Sequence, residues 1–490
     1  MLPIKANKYR ILLPLLFACV FCNAQVSDFQ PDGHTNQTTA AEDTAATISL
    51  PVFPDSIYAI QKITIEGNMM TRRPVILREL PFREGDSIKA HDIPEKIAHA
   101  QRQVKNLAMF HEVAVSIDSF AAQDLYIKIT VKERWYIWPI PHFKPIDRNI
   151  NQWLKEKADL NRVDYGIKLL YDNVTGYNDK LRFYLITGYT KQMVLRYSAP
   201  IDKEMHWGSN LNLAFGKNRE VLYNTLHDKQ EFLKSDKYIK KFFDGTLELT
   251  YRPKIFTKHT FGIGYHTLNI GDTVLKANPI YFLNGQTKVK YPSLYYILNY
   301  QNLDYIPYPT SGYAAEVEIE KRGFDKNMDM WYIGAKGLGY WNLPNRFFYS
   351  LMVSGIFKLP TRQPYPNLQL TGYGDVYLSG YEDYVVDGNA ALLVKGSLFR
   401  QLTSFKIPLP KTKFTRIQGL PFKIYGKVFA NLGYVDDRHP HPTNKLSNRT
   451  LFGYGAGFDI FTAYDMTLKI EFSYNHLGQN GVYLHKKEIF

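Results

Sequence analysis

The chain has 490 residues, which is more than one average domain, so we expect two domains or more. The formal net charge is +14, but the 60 Lys and Arg residues are interleaved with 46 acidic residues and form no basic block, which argues against a nucleic-acid partner. The 36 Tyr and 30 Phe residues suit β-strands and membrane interfaces.

Residues 1–24 have the features of a secretory signal peptide. Basic residues come first, the apolar run 11–21 follows, and Ala24 supplies a small residue at the expected cleavage site. The apolar run is too short to cross a bilayer as a helix. We therefore expect export of the remaining chain.

Both cysteines of the chain, Cys19 and Cys22, lie in this leader. The exported chain is then expected to carry no disulfide, although its compartment would permit one. Lipidation of the leader at Cys19 is the alternative to simple cleavage.

Residues 25–55 are poor in large apolar side chains and are expected to be a flexible linker. Residues 56–134 then read as a small α/β domain with the order β-α-α-β-β. The predicted elements are a strand at 58–66, helices at 74–80 and 93–107, and strands at 110–117 and 125–131.

Residues 135–490 divide into short alternating segments, for which we predict sixteen strands. In 313–320, for example, Tyr313, Val317 and Ile319 fall on one face and glutamates fall on the other. The predicted strands begin near Trp135, Arg162, Lys180, Met193, Gly208, Asp244, His259, Leu294, Tyr313, Met330, Phe347, Asn389, Lys423, Leu451, Met466 and Gly481. One apolar and one polar face per strand, behind an export signal, predict a transmembrane β-barrel with lipid outside and water inside.

The α/β domain resembles a POTRA domain of the BamA/TamA family of outer-membrane assembly proteins, which also includes the two-partner secretion transporters. The resemblance rests on a set of short motifs in which Gly67-Asn68 and Gly85-Asp86 form turns. Glycine at such turns also has the simpler explanation of a positive φ. The resemblance covers about residues 58–490 and implies a mainly β chain, with a POTRA domain followed by a sixteen-stranded antiparallel barrel.

Two motifs of the barrel region are similar to those of the same family. Pro309, Thr310 and Gly312 match its Pro-Thr-x-Gly turn, and Leu378-Ser379-Gly380-Tyr381 lies where the family carries a loop tip that folds into the lumen. There the family has an arginine that anchors the tip to a carboxylate of the inner wall, a charge-assisted bond. Ser379 stands in its place and offers only a weaker neutral bond. A loop glycine beside a packed aromatic is the alternative explanation of Gly380-Tyr381.

The first and last strands of the barrel must meet at a seam. Pro139 and Pro141 each remove a backbone N–H from the first strand, so a seam that opens sideways is one hypothesis. In the other, Trp135 and Trp138 belong to an interfacial aromatic belt and the prolines mark the entry into the barrel. The terminal Phe490, preceded by Tyr483, is similar to the sorting signal of such barrels.

The resemblance implies a protein of the Gram-negative outer membrane that assists the assembly, insertion or translocation of other outer-membrane or surface proteins. Its expected partners are outer-membrane lipid and lipopolysaccharide, unfolded clients captured by the POTRA domain, and periplasmic or lipoprotein subunits. A dedicated secretion pore for one partner and a structural barrel without insertase activity are the alternatives.

We find no sequence motif of an enzyme or of a cofactor site. No nucleophile elbow, phosphate-binding loop, dinucleotide fingerprint or His-Glu-x-x-His motif occurs. His439 and His441 could offer imidazoles to a metal, but we interpret them as solvated loop residues. We therefore expect neither an enzyme nor a bound cofactor or metal.

Overall fold

The computed structural model describes residues 56–145, 160, 163–374, 376–408 and 419–486. These residues belong to one compact unit. The predicted signal peptide and linker (1–55) and the terminal Phe490 lie outside the described residues.

The N-terminal domain packs two helices against a four-stranded sheet. Its elements are β1 Ile57–Glu66, α1 Arg73–Leu77, β2 Ser87–Lys89, α2 Ile93–Asn106, β3 Phe110–Ala121 and β4 Asp124–Glu133, and the sheet order is β2-β1-β4-β3. Strand β1 runs parallel to β4, whereas the other pairs are antiparallel. The short edge strand β2 was not predicted, because three residues are too few to show an alternating pattern.

The core of this domain lies between the helices and the sheet. Strand β4 alternates buried Leu125, Ile127, Ile129 and Val131 with more exposed neighbours. Helix α2 turns Ile93, Ile97, Ala100 and Val104 to the same core, as its helical spacing predicted.

The remaining chain forms a sixteen-stranded antiparallel sheet, which confirms the predicted number. Its first strands are β5 Ile137–Pro145, β6 Val163–Asp172, β7 Lys180–Gly188, β8 Thr190–Pro200 and β9 Trp207–Asn218, followed after a small hairpin (β10 Glu220–Leu226 and β11 Lys229–Lys234) by β12 Lys240–Tyr251, β13 Thr257–Ile270 and β14 Lys288–Leu303. The others are β15 Gly312–Asp325, β16 Met328–Leu343, β17 Phe347–Leu359, then after a second small hairpin (β18 Gln369–Thr371 and β19 Val386–Asp387) β20 Ala390–Pro408, β21 Gly419–Asp436, β22 Thr450–Thr462, β23 Thr467–Asn475 and β24 Asn480–Lys486. Two short helices, α3 Asp272–Ala277 and α4 Tyr365–Leu368, lie in the connections.

Side chains alternate across this sheet as a barrel in lipid requires. On β15, Tyr313 is 53% exposed on the outer face, whereas Glu320 is 7% exposed on the inner face. The outer face carries many large apolar side chains, as expected for contact with the hydrocarbon core of a membrane. The polar side chains face the lumen. Among the described residues, no helix is long and apolar enough to cross a membrane.

The sheet curls until its first strand approaches the last ones. The Trp138 ring of β5 lies 4.7 Å, centroid to centroid, from the ring of Tyr464, which belongs to the turn between β22 and β23. In the strand order, β5 and β24 stand at the two ends of the sheet. These are the two strands between which the sequence predicts the seam.

The connections differ at the two ends of the barrel. At the end that touches the N-terminal domain, which we call the proximal end, they are mostly tight turns such as 173–179 and 463–466. At the other, distal end they are longer and pack into a cap, whose core includes Val221, Val274, Phe282, Met328 and Tyr365. The β10–β11 hairpin of this cap was not predicted within the long segment 217–241.

Candidate functional site

The loop between β17 and β20, residues 360–389, carries the tip motif 378–381 into the barrel, where it contacts β22 and β23. The amide nitrogen of Asn475, Nδ2, donates a hydrogen bond of 2.7 Å to the Gly380 carbonyl. The Gly380 N–H donates to Glu382 Oε2 at 2.8 Å. Leu378, Ser379 and Tyr381 are all buried. The tip is thus held against the inner wall near the last strands.

Two glycines permit this close approach. A Cβ on Gly453 of β22 would lie 2.1 Å from the Ser379 carbonyl oxygen, which is closer than any real contact. Gly380 itself has a φ of +93°, a conformation that side-chain-bearing residues rarely adopt. The small residues at both positions therefore fit the tip to the wall.

Tyr381 fixes the other side of the tip. Its hydroxyl donates to the Phe452 carbonyl at 3.0 Å and accepts from the Phe452 N–H at 3.1 Å. The same hydroxyl contacts His476 Nδ1. Leu378 and Tyr381 also pack in an apolar cluster with Leu393, Val435 and Leu451. The tip is therefore embedded by packing as well as by hydrogen bonds.

Ser379 reaches a carboxylate of the inner wall. Its Oγ donates a hydrogen bond of 3.3 Å to Glu471 Oε2. On its other side, Glu471 Oε1 lies 2.6 Å from the Lys427 ammonium, which also lies 2.5 Å from Asp459 Oδ1. All three charged side chains are at most 8% exposed. The wall lysine thus supplies the positive charge that Ser379 lacks, and the sequence analysis did not single it out.

The Pro-Thr-x-Gly turn between β14 and β15 lies at the proximal end, and Asp304 holds its shape. Asp304 Oδ1 accepts hydrogen bonds from the N–H groups of Thr310 (2.9 Å) and Ser311 (3.1 Å). A Cβ on Gly312, whose φ is +108°, would lie 2.1 Å from the Asn302 carbonyl oxygen. The sequence motif is therefore a tightly closed turn, with Pro309 at its start.

This turn is joined to the lumenal charges through Tyr308, whose hydroxyl donates to Asp459 Oδ2 at 3.0 Å. Burial first, and then the charge of Asp459, raise the pKa of Tyr308 far above its ordinary value, so it stays a donor. A continuous series of contacts thus runs from the proximal turn through Asp459, Lys427 and Glu471 to Ser379.

The N-terminal domain joins the same series at the proximal end. Arg134 Nη1 lies 2.6 Å from Asp465 Oδ2, and the Tyr305 hydroxyl bonds the other oxygen of Asp465. Burial opposes the charge of Arg134, but the hydrogen bond and charge of Asp465 outweigh it and raise the pKa of Arg134. Asn106 of α2 also accepts from the Ile306 N–H at 3.0 Å.

A second ion pair holds the domain on the opposite side of the proximal end. The Arg252 guanidinium donates to both carboxylate oxygens of Glu79, at 2.5 and 2.8 Å. Nearby, the Arg72 N–H donates to the Gly176 carbonyl at 2.9 Å in the turn between β6 and β7. The domain therefore lies across the proximal opening, touching turns from separate parts of the barrel.

The predicted turns of this domain are formed by backbone geometry. Gly67 has a φ of +87°, and a Cβ there would lie 1.9 Å from the Val131 carbonyl oxygen. Asn68 Nδ2 donates to the Thr71 carbonyl at 2.9 Å. Gly85 has a φ of +94°, and Asp86 accepts from the Arg83 N–H at 2.7 Å. These contacts account for the four residues structurally and assign them no ligand.

Most of the predicted seam residues lie at or near the start of β5, and Tyr483 lies on β24. The Trp138 indole donates to the Trp135 carbonyl at 3.0 Å, and Trp135 itself is 44% exposed. Pro139 and Pro141 lie opposite Leu169 and Ile167 of β6. On β24, Tyr483 lies beside Glu471 of β23. These positions are compatible with both hypotheses, the interfacial aromatic belt and the weakly paired seam.

One group of described side chains has the composition of a metal site: Glu382, Glu471 and His485. His485 Nε2 lies 3.3 Å from Glu382 Oε1 and 3.8 Å from Glu471 Oε2. The Lys427 ammonium already neutralises Glu471 and would repel a second cation. The arrangement is better suited to linking the loop to the last strand than to binding a metal.

Comparison with known proteins supports the two-part architecture. Residues 58–134 match the protein family described as "POTRA: Surface antigen variable number repeat". Over 77 residues the chain is 38% identical to the outer membrane protein assembly factor BamA of Neorickettsia risticii (strain Illinois), a match that covers 16% of this chain and 10% of that protein. The chain thus matches only a small part of that relative's length.

Solved structures resemble a much larger part of the chain. CdiB from Escherichia coli has 11% sequence identity and a TM-score of 0.52, over 88% of this chain and 74% of that one. BamA from Haemophilus ducreyi lacking POTRA domains 1-3 has 14% identity and a TM-score of 0.49, over 88% of this chain and 83% of that one. The CdiB likeness supports a shared fold.

Proposed function

We propose that this protein spans the outer membrane of a Gram-negative bacterium and assists the assembly, insertion or translocation of other outer-membrane or surface proteins. It would do so without breaking or forming covalent bonds. The proximal end of the barrel and the POTRA domain would then face the periplasm. The observation that carries the proposal is the series of contacts from Arg134 and Asp465 to the Ser379 tip, because it joins the domain that would meet clients to the inner wall.

The POTRA domain supports client capture by its open sheet edges. Strand β2 and strand β3 stand at the two edges of its sheet, and an unfolded segment can add to such an edge through main-chain hydrogen bonds. The apolar outer face of the barrel would contact lipid and lipopolysaccharide. Periplasmic or lipoprotein partners would bind the exposed faces of the domain.

The seam between β5 and β24 is the proposed exit for a client. Pro139 and Pro141 withhold two N–H groups from the edge of β5, so this strand pairs more weakly than an unbroken one. A disulfide between paired cysteines introduced in β5 and β24 would lock the seam. Loss of client insertion on oxidation, and its recovery on reduction, would support lateral opening.

Depletion of the protein followed by quantitative proteomics of the outer membrane tests the function. We expect several unrelated barrels or surface proteins to decrease together. Loss of a single exported protein would instead identify a dedicated secretion pore. An unchanged outer membrane would contradict both and favour a structural barrel.

A further inference from the structure

A cleft of about 980 Å³ separates the POTRA domain from two proximal turns of the barrel. On one side it is bounded by α1 and residues 78–86, and on the other by the turns 201–206 and 252–256. The cleft lies between the two parts of the protein and does not include the β2 edge strand. It is therefore distinct from the sheet edges at which strand addition would occur.

The floor of the cleft is apolar. Leu77 and Pro81 of the POTRA domain line it as half-buried side chains, and the half-buried Ile255 and Phe256 complete it from the barrel. The Phe256 ring stacks on His99 of α2 at 5.7 Å, which fixes its position. Such a floor can accept apolar side chains of an extended chain.

The rim of the cleft carries four cationic side chains that form no ion pair among the described residues. Arg78, Arg83, Lys203 and Lys254 line it, and within the described part of the chain none of them has a carboxylate at ion-pair distance. The acidic groups of the lining are Glu84, Asp86 and Glu204.

Two of these carboxylates are already engaged inside the POTRA domain. Glu84 accepts from the Ile63 N–H at 2.8 Å and from Arg73 at 2.7 Å. Asp86 accepts from the Arg83 N–H at 2.7 Å. Arg73, outside the lining, offsets the charge of Glu84, so the four cations of the lining face two remaining carboxylates, Asp86 and Glu204, and its net charge is positive.

Arg78 is the most confined of these cations. Its Nη2 donates to the Arg252 carbonyl at 2.7 Å, while the Arg252 guanidinium is committed to Glu79. Burial and the neighbouring Arg252 lower the pKa of Arg78 to about 10. A half-buried guanidinium beside a second one is stabilised by any carboxylate that enters the cleft.

We propose that this cleft binds an extended client segment that carries a carboxylate between apolar side chains, with the carboxylate on Arg78 and the apolar side chains on the floor. The inference rests on the proposed role in handling unfolded clients, and it adds a chemical preference that strand addition lacks. Main-chain pairing accepts almost any sequence, whereas this cleft would favour acidic segments.

The test uses the full chain in detergent micelles and a labelled synthetic peptide of about ten alternating apolar and polar residues with one central aspartate. A matched peptide carries asparagine instead, and both have blocked ends. Fluorescence anisotropy measures the two affinities. We expect the aspartate peptide to bind more tightly, and added salt to reduce the difference.

Arg78→Gln should weaken binding of the aspartate peptide about tenfold and leave the asparagine peptide nearly unchanged. Arg102→Gln removes an exposed arginine of α2 outside the cleft lining and is the matched control. Lys254→Gln, on an exposed turn, gives a smaller loss and keeps the test decisive if Arg78→Gln does not fold.

Equal binding of the two peptides, or equal losses for Arg78→Gln and Arg102→Gln, would overturn the cleft proposal. This result would leave the depletion experiment untouched. Conversely, selective peptide binding with an unchanged outer membrane after depletion would retain the cleft and reject the proposed function. The two failures are therefore distinguishable.

Discussion

Arg134 and Asp465 are 331 residues apart in the chain, yet their side chains form an ion pair of 2.6 Å. Arg134 ends the POTRA domain, and Asp465 lies in the turn that precedes β23. Their side chains are 12% and 16% exposed, so the pair is largely withdrawn from water. It connects the POTRA domain directly to the turn between β22 and β23, near the end of the barrel strand order where the seam is proposed.

Removing one partner of this pair should destabilise the protein. Arg134→Met leaves Asp465 buried without its cation, and we expect a loss of about 3 kcal/mol in the free energy of unfolding. Replacement of both residues, Arg134→Met with Asp465→Asn, should recover much of this loss, because asparagine carries no charge and tolerates the φ of +63° at this position. Thermal unfolding in detergent measures the three variants. If the double variant is as unstable as the single one, the pair is not what holds the domain.

Lys427 should be needed for the stability of the barrel, because Ser379 brings no positive charge to Glu471. Lys427→Met leaves the buried Asp459 and Glu471 without a cation, and we expect the barrel to lose about 3–5 kcal/mol of stability. Adding Ser379→Arg returns a positive charge to the same place from the loop side and should restore part of the loss. Unfolding temperatures in detergent measure both effects.

Lys241→Met, on an exposed position of β12, is the control for this pair of variants. It should leave the unfolding temperature unchanged. If Ser379→Arg does not raise the unfolding temperature of the Lys427→Met protein, the loop cannot present its charge to Glu471. The idea that Lys427 replaces a charge missing at position 379 is then wrong.

Gly453 should be needed for the seating of the loop tip. Gly453→Ala places a Cβ 2.1 Å from the Ser379 carbonyl oxygen, so either the strand or the tip must move. We expect a cost of about 1–3 kcal/mol and faster proteolysis within residues 360–389. Gly355→Ala is the matched control, because a Cβ there meets nothing within 4 Å. Equal proteolysis of the two variants would show that the tip tolerates the added atom.

The stability of the POTRA domain should fall in acid because of His111. Its Nε2 is buried and has no hydrogen-bond partner among the described residues, and its ring lies 5.2 Å from Tyr464. Burial, with the nearby Arg134 and Lys132, lowers the pKa of His111 from 6.5 to about 4. Between these values the unfolded chain binds a proton that the folded chain does not, so stability decreases as the pH falls from 6.5 towards 4.

His111→Phe should therefore remove part of the loss of unfolding temperature between pH 7 and about pH 4.5. His439→Gln, on an exposed distal loop, should leave that loss unchanged. Identical pH profiles of His111→Phe and the unsubstituted protein would exclude a contribution of this histidine.

The strands of the barrel could be predicted from sequence because each strand has one face towards lipid and the other towards the water of the lumen. Strict alternation, as in Tyr313 to Glu320, marks the strands without any knowledge of their partners. The largest displacement of a predicted start is six residues, Leu294 against the observed Lys288. The small β10–β11 hairpin was missed because its turn, His227-Asp228, takes positive φ values without glycine or an Asn-Gly pair.

The partner of Ser379 could be predicted only as a class. The family resemblance implied an inner-wall carboxylate, but its identity depends on strand register and on the path of a loop of about thirty residues. Lys427 looks in the sequence like any other lysine on a polar strand face. Only the pairing of β21 with β22 and β22 with β23 places it between Asp459 and Glu471.

The anchoring of the loop tip also dictates an order of events during biogenesis. The partners of the tip leave the ribosome long after it does: Glu471 follows Ser379 by 92 residues, and Asn475 follows Gly380 by 95. Such distant contacts form late, since the intervening chain must first be arranged. The tip can therefore settle only after β22 and β23 are in place, and its seating marks a barrel whose own assembly is nearly finished.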